Sequence, residues 1–165
     1  MIQGLETNTA LKSLWLGKNK IEAITGLENL PHLRQLDIQH NRLTTLGEGL
    51  RHLSELEELY LAWNNIPDLQ GLPSPSTLNT VDLSKNQIAT LEGVEQHTTL
   101  EELWLSYSLL GTFESLAPLS QLPALNCLYL EHSPIAKDYE YRKNITKLVP
   151  SLQQLDATQV NRTVV

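Results

Sequence analysis

Apolar and polar positions alternate along this chain with a fixed beat. Residues 56–66 carry Leu56, Leu59, Leu61 and Ile66 at frame positions one, four, six and eleven, with Asn64 at position nine. Leu59 and Leu61 are two apart, so on an extended strand they share one face. The frame recurs as Leu11-Leu14-Leu16-Asn19-Ile21, Leu33-Leu36-Ile38-Asn41-Leu43 and Leu78-Val81-Leu83-Asn86-Ile88. Two later copies, Leu100-Leu103-Leu105-Ser108-Leu110 and Leu125-Leu128-Leu130-Ser133-Ile135, carry Ser in place of Asn, and Leu152-Leu155 opens a seventh. The opening leucines lie 22, 23, 22, 22, 25 and 27 residues apart. Self-similarity at that period predicts an α/β solenoid, a curved right-handed superhelix in which every repeat adds one strand to a parallel concave sheet.

Each repeat returns on the convex side through a segment such as Ile24, Leu27 and Leu30, spaced by three. Spacing of three suits short 3₁₀ or helical turns, and Pro67, Pro73 and Pro75 in the third return segment break a regular helix. Asn19, Asn41, Asn64 and Asn86 stand where the strands end. A carboxamide offers two donors and an acceptor, so these residues are expected to form a structural ladder that satisfies buried backbone groups. Ser108 and Ser133 have one hydrogen each to give, which predicts looser turns in the last repeats.

Organisation follows from the same frame. Residues 1–136 hold about six repeats, and the first has no recognisable cap before it. A solenoid end without a polar cap leaves an apolar layer and a strand edge open, so truncation of a longer repeat array and self-association through that edge are expected. Residues 137–158 read as a C-terminal cap, with a helix over 137–148 placing Tyr141, Ile145 and Leu148 on one stripe, stopped by Pro150. Residues 159–165 carry no pattern and are expected to fray.

Composition then narrows the function. Among 165 residues there are 34 leucines and one Phe, which suits identical stacked layers. A net charge of −7 argues against a nucleic-acid backbone as partner. The lone Cys127 forms no internal disulfide, the start of the chain does not read as a signal peptide, and no apolar run spans a bilayer. These features predict a soluble protein of a reducing compartment. The residues between the paired leucines face outward on the concave side, giving Trp15, Asp37, Tyr60, Asp82, Trp104 and Tyr129, with Glu58 and Glu102 in the column before them. At one strand per ~4.8 Å, Trp15 and Tyr129 are about 25 Å apart, the width of a protein partner. Aromatics interleaved with carboxylates are what protein interfaces use as anchors. No cofactor or metal is expected, since His32, His40, His52, His97 and His132 have no ligand spacing. Nor is an enzyme expected, since Cys127 and His132 lie on an open face without an orienting third group.

Leu16-Gly17-Lys18-Asn19-Lys20-Ile21 and Ile24-Thr25-Gly26-Leu27 resemble the repeats of the leucine-rich-repeat regulatory subunit of type 1 protein phosphatase. The tail is similar too, with Lys137-Asp138, Tyr141-Arg142 and the run from Leu148 through Pro150-Ser151-Leu152 to Leu155-Asp156-Ala157-Thr158. The resemblance covers nearly the whole chain but only the C-terminal part of that family's solenoid. It implies a non-catalytic regulator in nucleus and cytoplasm whose concave face grips the phosphatase catalytic subunit. The family's binding positions fall on Trp15 (where a Phe is usual), Asp82, Glu102, Trp104 and Tyr129; Tyr60 matches the aromatic usual in its repeat, and Asp37 belongs to the same column. The alternative is a leucine-rich-repeat scaffold for another complex, in RNA processing or the cytoskeleton.

Overall fold

A computed structural model of the chain describes residues 2–73 and 77–160. One sheet runs through it, in strict chain order. Its strands are β1 (Ser13–Trp15), β2 (Gln35–Asp37), β3 (Glu58–Tyr60), β4 (Thr80–Asp82), β5 (Glu102–Trp104), β6 (Cys127–Tyr129), β7 (Gln154–Leu155) and β8 (Thr158–Gln159). Pairing is parallel from β1 to β7, with Leu14, Leu36, Leu59, Val81, Leu103, Leu128 and Leu155 in register. The equivalent residue of every repeat therefore stacks on its neighbour. From Leu27 to Leu155 these leucines and their convex partners form one continuous buried core. This is the expected parallel solenoid.

The convex returns are short. Turns serve the first repeats, and 3₁₀ segments follow at Val94–Gln96, Glu114–Gln121 and Pro134–Lys137. Pro118 lies inside the second of these. Pro75 lies outside the described residues. Before β1, the carbonyls of Leu5 and Asn8 accept from Asn8 and Leu11, as those of Leu27 and Leu30 accept from Leu30 and Leu33 one repeat later. Gly26 is held at φ +74°, and a Cβ there would come within 2.6 Å of the Ile2 carbonyl oxygen. Only glycine allows that close stacking of turns. Leu5, Leu11, Leu14 and Leu16 remain half-buried, because their layer has a neighbour on one side.

The Asn ladder holds the strand ends together. Asn64 Nδ2 donates to the Leu61 carbonyl at 2.9 Å and to Ile38 of the preceding repeat at 3.0 Å, while its Oδ1 accepts from Leu43 N–H at 3.0 Å. Asn41 and Asn86 repeat the arrangement. Asn19, in the first layer, is exposed and bonds only within its own turn. The serine repeats close differently from expectation. Ser108 and Ser133 are buried with their hydroxyls 2.8 Å apart, Ser133 Oγ donates to the Leu105 carbonyl, and it accepts from Ser108 N–H. Two small hydroxyls spanning two repeats replace one amide, so the turn is compact, not loose.

The C-terminal closure needs two corrections. The α-helix, α1, begins at Tyr141 and not at 137, running Tyr141–Leu148. Asp138 interrupts it: its carboxylate accepts from Glu140 N–H and its carbonyl from Tyr141 N–H, which makes a turn. Tyr141, Ile145 and the following Val149 are the buried contacts, and Leu148 is only half-buried. The tail does not fray from 159 either. β8 pairs antiparallel with β7, and Arg142 donates to the carbonyls of Leu155, Thr158 and Gln159. Residues 161–165 lie outside the described residues.

Candidate functional site

The outward column is continuous through the sheet, because Trp15, Asp37, Tyr60, Asp82, Trp104 and Tyr129 are in register from β1 to β6. Its members do different work. Trp15 is 65% exposed at the open end. Tyr60 and Trp104, two strands apart, lean together until their ring centroids are 6.4 Å apart, and Trp104 meets Tyr129 edge-on at 6.0 Å. The three rings make one ridge. Both phenols are tied down: Tyr60 donates to Glu58 Oε2 at 2.7 Å, and Gln154 Nε2 donates to the Tyr129 oxygen at 2.6 Å. Burial, then the Glu58 hydrogen bond, raises the Tyr60 hydroxyl well above the usual phenol range. Such rings are fixed before a partner arrives, which lowers the entropy cost of binding.

Asp82 departs from the expected outward exposure. It is 7% exposed, on the strand between the two rings that lean across it. Burial raises its carboxyl above the ordinary value, against the hydrogen bond that Ser84 N–H donates to Oδ1 at 2.9 Å. Asp37 accepts from Gln39 N–H at 2.8 Å in the same way. Both aspartates thus fasten the end of their own strand (an Asx turn), a role that alternation alone does not reveal. Glu102 borders a shallow depression with Trp104, Cys127, Tyr129 and Gln154, and Trp104 and Tyr129 border a second with Ser84 and Ser106. The indole N–H of Trp104 is buried without a hydrogen-bond partner among the described residues.

Cys127 and His132 sit in different surroundings. Burial and the Glu102 charge push the thiol up, opposed to a lesser extent by Trp104, so the thiolate is disfavoured. The His132 ring stacks on Tyr107. Among the described residues no three His, Cys, Asp or Glu side chains are grouped to hold a metal ion. Among the described residues no helix is long and apolar enough to cross a membrane.

A further set of residues flanks the concave columns in the sequence, which assigns it no role. Lys18, His40, Trp63, Lys85, Tyr107 and His132, each just before the Asn or Ser of its repeat, all adopt left-handed backbone with φ of 52–63°. Identical backbone geometry sends their side chains the same way, into a second row beside the first. The adjacent Asn positions were the available signal, since a tight turn at the strand end needs a left-handed residue.

Comparison with known proteins places these features. A family model described as leucine-rich repeat matches residues 58–164, and a second such model matches 9–66. Serine/threonine-protein kinase 11-interacting protein of Gallus gallus is 40% identical over 129 residues, 76% of this chain and 12% of that protein. Protein phosphatase 1 regulatory subunit pprA of Dictyostelium discoideum is 42% identical over 70 residues, 42% of this chain and 20% of that protein. A solved leucine-rich-repeat protein of Leptospira interrogans superposes with a TM-score of 0.75 at 27% identity, covering 88% of this chain and 37% of that one. The chain therefore spans a small part of the curated relatives it matches.

Proposed function

Since the chain belongs to the leucine-rich-repeat family, we propose that it is a non-catalytic protein-binding module whose concave face holds the type 1 serine/threonine phosphatase catalytic subunit. The observation that carries this is the fixed ridge of Tyr60, Trp104 and Tyr129, flanked by Glu58 and Glu102 on an open sheet. Preset aromatic rings beside carboxylates suit the anchor region of a protein interface. Similarity to a phosphatase regulatory subunit supports the choice of partner. In this reading Trp15, Tyr60, Glu102, Trp104 and Tyr129 make contact, while Asp37 and Asp82 brace the strand ends beneath them. The protein then works where the phosphatase does, in nucleus and cytoplasm.

The similarity to a kinase-interacting protein, over a longer stretch of the chain, favours a second reading: a leucine-rich-repeat scaffold for a different signalling complex. Isothermal titration of the purified chain against the phosphatase catalytic subunit separates the two. Saturable one-to-one binding is expected, and heats no larger than dilution reject the phosphatase as partner.

A further inference from the structure

The left-handed row is a continuous stack. His40 lies on Trp63 with centroids 4.9 Å apart and planes 18° apart, and Tyr107 lies on His132 at 4.3 Å and 16°. Lys85 joins the two halves, its Nζ 3.8 Å from the Trp63 ring centre and 4.2 Å from that of Tyr107. Trp63 and Tyr107 are nevertheless 49% and 45% exposed. Stacking uses up the ring faces, so solvent meets the ring edges, which carry the positive end of the quadrupole and the N–H and O–H donors.

Lys85 is half-buried and has no carboxylate within ion-pair distance among the described residues, unlike Arg34, Arg42, Arg51 and Lys143. Two aromatic faces hold this ammonium in place. The residues just before this row, Gly17, Gln39, Ala62, Ser84 and Ser106, are uncharged, with Glu131 at its far end the exception, and Lys18 belongs to the row itself. A chain of net charge −7 therefore carries a strip with a preset cation at its centre.

We propose that this strip docks an extended acidic segment of a partner protein, with one of its carboxylates seated on Lys85 between Trp63 and Tyr107. Single-stranded nucleic acid fits less well. It needs free ring faces for its bases, and the faces of Trp63 and Tyr107 are taken by His40, Lys85 and His132. The inference stands on Lys85 and its rings, and does not depend on the phosphatase being the partner.

The test uses a fluorescein-labelled hexaglutamate peptide, read by anisotropy and by backbone amide shifts of the full chain. Salt-sensitive binding is expected, with shifts centred on Trp63, Lys85 and Tyr107. Lys85→Met keeps the apolar stem between the rings but removes the charge, and should weaken binding about tenfold or more, while Lys85→Arg stays within about threefold. Thermal unfolding checks that each variant is folded; should Lys85→Met fail, the exposed Tyr107→Leu replaces it, with a weakening in the same direction expected. Undiminished binding by the folded charge-removed variant, shifts elsewhere, or tighter binding of an octameric oligouridine at this strip would overturn the proposal.

Discussion

Asn64 shows how much one side chain does in a stacked fold. Replacing it by Ala strands Leu43 N–H in the core and takes one of two amide donors from the carbonyls of Ile38 and Leu61, which keep Asn41 and Asn86 respectively. A buried polar group left unpaired costs about 1–3 kcal/mol, so Asn64→Ala should lose about 2 kcal/mol. Ser133→Ala removes a bond to Leu105 and an acceptor for Ser108, and should lose about half as much. Denaturant midpoints of the two variants give the order directly. His97 supplies a pH test. It is 5% exposed, its Nδ1 has no partner among the described residues, and burial lowers its pKa despite nearby Glu95. A lowered pKa means the unfolded chain takes up the proton first. The stability that neutral His97 contributes is thus complete above the ordinary histidine pKa and is lost as pH falls through the folded value. Relative to His97→Gln, the unsubstituted chain should lose stability as pH falls below the ordinary histidine pKa, seen in thermal melts.

At the scale of elements, the cap joins helix, strand and tail through three side chains. Tyr141 donates to Asp156 Oδ2 at 3.0 Å, and Asp156 Oδ1 accepts from Leu130 and Glu131 N–H. Arg142 meanwhile holds three carbonyls of the β7–β8 hairpin. Arg142→Met keeps most of the stem packing and should cost about 1 kcal/mol, with faster proteolysis confined to residues after Leu155. The apolar stripe of α1 was legible, because Tyr141 and Ile145 are one turn apart. β8 was not, since Thr158 and Gln159 have no apolar alternation and are held by backbone pairing with β7 and by Arg142. The strand leucines were legible for the opposite reason: register makes each residue of the repeat meet its own copy. Asp82 escaped because its cover comes from rings two strands apart. The Trp63–Lys85–Tyr107 stack escaped because left-handed backbone, and not residue type, aims those side chains.

The whole molecule is a ladder with unequal ends. β1 sits at one end of the sheet and pairs with β2 alone, while α1 packs near the other end against the convex turns. Amide exchange should be fastest in β1 and slow towards β3 and β4, whose strands are paired on both sides. Equal protection of Leu14 and Leu59 amides in a monomer would mean that the first layer is covered. Along this ladder two faces differ in character: an acidic, aromatic concave column and a convex side of short turns. The account rests on the concave ridge being where a partner binds. The most direct measurement is the affinity of the chain for the phosphatase catalytic subunit, with Trp104→Ala set against the convex change Glu28→Ala. Trp104→Ala should lose about 2 kcal/mol or more, roughly thirtyfold in Kd, and Glu28→Ala should stay within about twofold. Equal losses from the two, or none from Trp104→Ala in a chain that binds, would contradict it.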